Sequence, residues 1–263
     1  MAFLEEPLLR GVAPGSKRFF ELQRRIIRER PLLRSVYELW YRLLLEDECS
    51  VPGEPDAGLL LELGSGGSTL QELCPRVVTS DVTEGVAERT IDGRELPFED
   101  GTLRAIFATH VFHHIPDVER FLAEVERTLV PGGVLALIDV PHTPFARFFF
   151  DRFHPEPYDD AMPGWRFEQA DTMLDANQAL SWIVFERDRG RFAERFPTLA
   201  VERTDWLPWL SYVLSGGVTR RNLVPGFLAP IIRATDRLLS PLDRWMALHW
   251  HLRIRKRSGK PLP

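Results

Sequence analysis

The stretch Leu59-Leu-Leu-Glu-Leu-Gly-Ser-Gly-Gly-Ser68 decides the fold. Leu59–Leu63 is a short, nearly all-apolar run, the pattern of a strand buried on both faces. Glycines follow it, and then a short helical pattern through Leu73. A glycine turn between a buried strand and a helix lets a ligand approach the backbone closely. Free amides at the helix start favour an anionic group there. A dinucleotide fingerprint needs a further glycine where Thr69 stands, and a phosphate-binding P-loop needs a lysine that is absent. What remains is a nucleoside ligand without an extended phosphate.

Outward from this loop the chain keeps an α/β rhythm. Arg76–Ser80 reads as a second strand ending at Asp81, Ala105–Thr109 as another, Pro116–Leu129 as a helix and Val134–Val140 as a strong strand. Strands alternating with helices imply right-handed crossovers and a doubly wound sheet. Asp81, at a strand tip beside the glycine loop, is placed to accept hydrogen bonds from ribose hydroxyls. Asp92 precedes Gly93-Arg94-Glu95-Leu96-Pro97-Phe98, whose Leu-Pro-Phe run can wall one side of a flat base. Its carboxylate is positioned to accept from an exocyclic amine, and an Asx-turn with Arg94 is compatible with that contact.

Glu62-Leu-Gly-Ser-Gly-Gly, Asp81, Asp92-Gly-Arg-Glu-Leu-Pro-Phe-Glu-Asp-Gly-Thr, Ala105-Ile-Phe-Ala-Thr-His-Val-Phe-His-His-Ile115 and Val130-Pro-Gly-Gly133 together resemble a class I S-adenosylmethionine-dependent methyltransferase of the small-molecule, type 11 group. The likeness covers residues 58–140. It implies a Rossmann-like, doubly wound, mostly parallel sheet; helical spacing over Ser16–Asp47, the long segment Phe145–Gln178 and the apolar stripes over Pro225–Arg257 add an N-terminal helical cap, a lid insertion after the fifth strand and C-terminal amphipathic helices. The corresponding division is a cap at 1–50, a cofactor-binding domain at 51–220 with the lid at about 141–180, and a helical extension at 221–263. The resemblance further implies that Gly64, Ser65 and Gly66 turn beneath the methionine and ribose of S-adenosylmethionine. Glu62 would reach the methionine ammonium, Asp81 the ribose and Asp92 the adenine amine, with Gly93 and Arg94 beside the ring. Thr109 and His110 would border the sulfonium. Three departures stand out: Ser68 replaces a usual third glycine, Asp92 lies only eleven positions after Asp81, and Arg104 replaces an acid at the start of the fourth strand.

The acceptor of an open α/β sheet lies beyond the carboxyl ends of its strands, here the residues after Val140. A hydroxyl acceptor needs a base of suitable pKa, and His142, His154 and Glu156 are the candidates. His113 reads as a packing residue before Ile115-Pro116. No HExxH, facial triad or dense acid cluster stands in the sequence, so no metal is expected. A looser likeness, through His154-Pro-Glu-Pro-Tyr-Asp and Ala176–Asp188, to methyltransferases of bacterial surface-polysaccharide functions implies a saccharide or lipid-linked saccharide acceptor. Trp165 and Trp182 would suit sugar stacking.

Composition sets outer bounds. The 263 residues are 44% hydrophobic and 27% charged, as in globular proteins. Cys49 and Cys74 cannot build a disulfide framework, which fits a reducing cytosol. The start has acids where a signal peptide needs bases, and Thr128–Ile138 and Trp206–Thr219 fall short of the roughly 18 residues of a membrane span. Both ends are basic: seven Lys/Arg against two acids over 17–34, and five Lys/Arg over 253–260, on an acidic body of net charge −5 overall. Past Pro141 the expectations are a helix at Phe145–Phe153, irregular chain at His154–Asn177, strands at Leu199–Trp206 and Leu210–Leu214, and amphipathic helices over Pro225–Arg257. Tryptophan beside bases in that last stretch suggests peripheral contact with anionic lipid. A nucleic-acid methyltransferase gripping phosphate through the basic N-terminal helices is a rival reading. Against it, Ala108-Thr-His-Val111 stands where an Asn/Asp-Pro-Pro-aromatic motif would be. A non-catalytic nucleoside-binding protein of the same fold is a third.

Overall fold

The computed structural model describes residues 5–54, 57–169 and 175–258. Lys260, part of the basic tail, and residues 170–174 of the expected lid lie outside them. Two helices open the chain. Ser16 caps α1 (Lys17–Glu29) by accepting from the Phe19 amide at 3.2 Å, and Pro31 opens α2 (Pro31–Cys49), where its missing N–H leaves nothing unpaired. The sheet follows: β1 (Leu59–Leu63), α3 (Leu70–Leu73), β2 (Val77–Asp81), β3 (Arg89–Thr90), β4 (Leu103–Thr109), α4 (Val118–Thr128) and β5 (Leu129–Asp139). The ten residues between Asp81 and Asp92 hold only β3 and turns. After β5 come α5 (Pro144–Phe153), the short α6 (Leu180–Trp182) running on as a π-turn to Arg187, α7 (Arg189–Arg195), β6 (Leu199–Trp206), α8 (Leu210–Ser215), α9 (Ala229–Leu239), α10 (Asp243–Met246) and β7 (Trp250–Lys256).

The seven strands lie in the order β3-β2-β1-β4-β5-β7-β6. The first five are parallel, and β7 runs antiparallel to both of its neighbours. Side chains alternate across each strand, and this divides the core. Leu60, Phe107, Val134 and Ala136 face α1 and α2, while Leu61, Ile106, Leu135 and Leu252 face α4, α6 and α7. Trp40 of α2 is fully buried in the first layer, so the N-terminal helices share the sheet's core instead of capping it from outside.

Two expectations need correction. Leu210–Leu214 is helical: Asp236 accepts from the Leu210 and Ser211 amides at 3.0 and 3.1 Å, and Gly216 ends the turn with φ +73°. The stretch 221–263 is not a wholly helical extension either, because its end is the strand β7 between β5 and β6. Trp250, Leu252 and Ile254 alternate with His251, Arg253 and Arg255, which is period two and not a helical stripe. Three of the tail's bases are engaged within the fold. Arg253 reaches Asp47 at 3.2 Å, Arg255 reaches Glu202 at 2.8 Å, and Lys256 donates to the Leu129 carbonyl at 2.7 Å.

Candidate functional site

The carboxyl ends of the parallel strands open into a cavity of about 990 Å³. Glu62, Gly64, Ser65, Gly66, Asp81, Asp92, Gly93, Arg94, Thr109 and His110 all line it, as do His154 and Glu156. His142 does not. Its ring stacks on Trp182, with centroids 4.0 Å apart, and its Nε2 meets Asp160 at 2.9 Å. Trp165 is in the core and Trp182 is taken up by His142, so neither tryptophan offers a sugar platform in the cavity.

The glycine loop is held from three sides. Gly64 (φ +60°) and Gly66 (φ +40°) sit in backbone regions that glycine tolerates best. The Gly66 amide donates to Asp81 Oδ2 at 3.1 Å, and the Thr83 amide to Asp81 Oδ1 at 2.8 Å, so Asp81 ties the β2 tip to the loop. From α1, Arg24 donates to the Gly66 and Ser68 carbonyls at 2.8 and 3.0 Å. Ser68, in place of a third glycine, anchors the loop to β1. Its Oγ donates to Glu62 Oε1 at 2.6 Å, with the Tyr41 hydroxyl 3.0 Å away.

Five buried polar atoms of cavity-lining residues have no hydrogen-bond partner among the described residues: His114 Nδ1 and Gln178 Oε1 on the acceptor side and, on the cofactor side, the set Glu62 Oε2, Thr109 Oγ1 and His110 Nε2. Unsatisfied buried groups are rare in folded proteins, and clustered in one cavity they point to a ligand that completes them. An acceptor-only carboxylate oxygen suits an ammonium, and the set therefore fits the amino-acid end of S-adenosylmethionine. Burial pushes the Glu62 carboxyl up to about 7, against the Ser68 and Ser65 hydrogen bonds that lower it. Burial likewise lowers His110 to about 4, leaving it neutral; its backbone sits at φ +58°, unusual for a residue with a side chain. Asp92 is shared with Arg94, whose amide and guanidinium donate to it at 2.9 and 2.6 Å. Those hydrogen bonds hold its carboxyl below the usual range despite partial burial.

Glu62 also gives a sign for pH. A protonated carboxyl cannot pair with an ammonium, so affinity for a cationic amino-acid ligand should rise about tenfold per pH unit between about pH 5 and pH 7, then level off. Glu62→Gln should flatten that slope in calorimetric titrations. In the free protein the raised pKa means that the folded state holds more protons than the unfolded chain below about 7. This group's contribution to stability therefore falls as pH rises through that window.

The acceptor side holds a cluster that the sequence did not announce. His113, 2% exposed, lies between Asp139 (Nδ1 to Oδ1, 2.7 Å) and Glu156 (Nε2 to Oε2, 3.4 Å). Burial opposes its charge, but the two carboxylates outweigh burial and raise its pKa. Glu156 is correspondingly held down: burial alone would raise it, and the His113 hydrogen bond and charge reverse that. His114 Nε2 lies 3.7 Å and His154 Nδ1 3.9 Å from the same Glu156 oxygen, and burial lowers the pKa of both rings, that of His114 to about 4. His113 is therefore wired into the site and not merely packed. The only sequence signal was a His-His pair just past a strand end.

The sheet order and the loop at its strand ends are those of a Rossmann-like, doubly wound fold. Residues 61–137 match the family model described as a methyltransferase domain, so the class I methyltransferase likeness holds over that segment. Among curated proteins, the chain is 28% identical over 123 residues to the ubiquinone/menaquinone biosynthesis C-methyltransferase UbiE of Desulfotalea psychrophila, covering 37% of this chain and 50% of that protein. It is 36% identical over 64 residues to the 27-O-demethylrifamycin SV methyltransferase of Amycolatopsis mediterranei, covering 24% of each. The chain thus matches half or less of the length of these relatives. The solved geranyl diphosphate C-methyltransferase of Streptomyces coelicolor A3(2), in a complex that includes S-adenosyl-L-homocysteine, shares the fold: TM-score 0.52, 15% identity, 96% of this chain and 84% of that one. No described helix is long and apolar enough to cross a membrane.

Proposed function

We propose that this protein is an S-adenosylmethionine-dependent methyltransferase acting on a small-molecule acceptor. The observation that carries the reading is the convergence of Glu62, Asp81 and Asp92, from successive strand ends, on one cavity beneath a glycine turn. Methyl transfer is an in-line displacement: the acceptor's lone pair attacks the methyl carbon, and the electron pair of the broken bond returns to a sulfur that leaves neutral. The protein's part is to position the reactants and exclude water. His154, on the cavity wall, is the group we assign to take the acceptor's proton, with Glu156 beside it; His142 is too remote in its stack on Trp182.

Phe19, Phe20, Ile27, Phe150, Phe153 and Val218 line much of the cavity. They favour an acceptor with an apolar body over the saccharide suggested by sequence, whose tryptophan platform is missing from the cavity. The curated relatives named for quinone and rifamycin methylation are consistent with that choice. The nucleic-acid reading loses its grip, because Arg24 and Arg30 of the basic N-terminal stretch turn inward onto backbone carbonyls.

Calorimetry with S-adenosylmethionine and S-adenosylhomocysteine tests the core of this. Asp81→Ala should weaken both by about 1–3 kcal/mol, the range for a lost charge-assisted hydrogen bond. Asp92→Ala should weaken them less, because Arg94 already shares that carboxylate. Binding of a nicotinamide nucleotide in place of either ligand would remove the proposal. Labelled methyl transfer to phenolic and isoprenoid quinol acceptors, against lipid-linked saccharides, then reads the acceptor class.

The exposed apolar face of α9 and its surroundings supports peripheral contact with an anionic membrane. Phe227 and Leu238 are 78% and 80% exposed, and Arg233, Arg237 and Arg244 lie in the same stretch of sequence. The whole chain should co-sediment with phosphatidylglycerol-containing vesicles at low salt and release at high salt. Phe227→Glu with Leu238→Glu should abolish binding; an unmodified chain that stays in the supernatant at low salt disposes of the contact.

A further inference from the structure

We infer that His113 Nε2, His114 Nε2 and the Glu156 carboxylate form a binding site for one divalent first-row metal ion, whose open coordination position faces an oxygen of the acceptor. The inference deepens the methyltransferase reading and rests on it only for the identity of the bound oxygen.

Geometry carries it. These three groups present ligand atoms that all lie within 4.8 Å of one another. The two nitrogens stand 3.4 and 3.7 Å from the same Glu156 oxygen, a long hydrogen bond for His113 and beyond hydrogen-bond reach for His114. For bonds of about 2.0–2.2 Å to nitrogen and oxygen, the edge of a tetrahedron around an ion is about 3.3–3.6 Å. The observed separations match that edge closely. The residues also come from firm supports: His113 and His114 close the turn after β4, and Glu156 follows α5.

The surroundings are those of a metal site. Asp139 Oδ1 holds His113 Nδ1 at 2.7 Å, which fixes the ring and directs Nε2 at Glu156. A carboxylate behind a histidine ligand is the usual outer support of such ions. Asp139 is itself held by the Val140 amide at 2.7 Å. Gln178 Nε2 donates to the same Glu156 Oε2, which keeps a second lone pair for an ion, and Gln178 Oε1 is buried without a partner among the described residues. An ion at this point takes the Nε2 lone pair that otherwise carries the proton shared with Glu156.

The donor set selects the metal class. Two imidazoles and one carboxylate suit zinc or iron(II) and not magnesium or calcium, which prefer all-oxygen shells. All three ligand residues line the cavity, so a fourth position can meet a bound molecule. A Lewis acid there would hold an acceptor through an ionisable oxygen, a phenol or enol, and orient its nucleophile toward the methyl group.

The test uses the whole chain, stripped with a chelator and dialysed. Zinc titrated against a competing chelator should bind once per chain. Cobalt(II) at the same site should give the intense visible bands of a four- or five-coordinate ion. His114→Ala and Glu156→Gln should each weaken zinc by more than the roughly 10–100-fold expected for the outer support variant Asp139→Asn. Cys49→Ser with Cys74→Ser should leave binding unchanged, excluding the thiols. Circular dichroism and melting of each variant show that it folds. Zinc that fails to bind, or binding that survives both His114→Ala and Glu156→Gln in folded protein, overturns the site. S-adenosylmethionine calorimetry on the same stripped protein keeps the two readings apart: cofactor binding without metal binding refutes only the metal site.

Discussion

Arg104→Leu should lower the free energy of unfolding by about 3–5 kcal/mol, the range for a buried charge left without its partner. Arg104 enters the sheet on β4 almost fully buried, and its guanidinium meets Glu48 of α2 at 2.5 Å. It also donates to the carbonyls of Val51 at 2.7 Å and of Pro52 and Glu54 at 3.2 Å, which ties the linker after α2 to the sheet. Once Arg104 is removed, the nearest cation to Glu48 is Arg76, half-exposed and 3.8 Å away. Arg104→Leu with Glu48→Leu should recover much of the loss, since both charges go, but not all of it, since the carbonyls stay unpaired. Urea denaturation reads both. A single-variant loss below about 1 kcal/mol would mean that the pair is solvated and the linker is held by something else.

That residue shows what sequence can and cannot tell. As a departure from a family pattern, Arg104 was visible at once. Its compensation was not, because Glu48 lies 56 residues away with no periodicity linking the two. β7 has the same logic. Its alternation of apolar residues with Arg253 and Arg255 fits a strand, but the density of bases near the chain end suggested an amphipathic helix. The acids that neutralise those bases, Asp47 and Glu202, arrive from α2 and β6. By contrast β1, β2, β4, β5 and α4 were legible, because buried parallel strands and one-sided helices write their burial into local pattern.

The site divides the same way. Its cofactor half sits on consecutive strand ends, so residues near one another in sequence order converge in space by topology alone. Its acceptor half draws on the turn after β4, the end of β5 and the segment after α5. His142 and His154 were equal on sequence, and only the path of α5 puts one on the cavity wall and the other beside Trp182. The Asp139–His113–Glu156 line has no spacing that a motif could capture.

Gly64→Ala should be the most damaging single change to cofactor binding. A methyl group on Gly64 would stand 2.4 Å from Val111 Cγ2 and 3.0 Å from Cγ1, on a β-branched side chain with little freedom to turn away. Its backbone, at φ +60°, is a region that alanine disfavours. Strain and overpacking together should amount to about 2–5 kcal/mol. The loop's relief would be to shift, and shifting it breaks the Ser65 amide bond to the Ser80 carbonyl at 2.8 Å and the Gly66 amide bond to Asp81. Those bonds set the position of Asp81, so the damage passes from backbone to ribose contact. Binding of S-adenosylhomocysteine should fall by about 100-fold or more, which corresponds to roughly 3 kcal/mol. Gly64→Ala with Val111→Ala removes the collision but keeps the dihedral penalty, and should regain only part of the affinity. Alanine at 64 tolerated with unchanged affinity would mean that the ligand does not rest on this turn, and the glycine loop would then be a fold device with no part in binding.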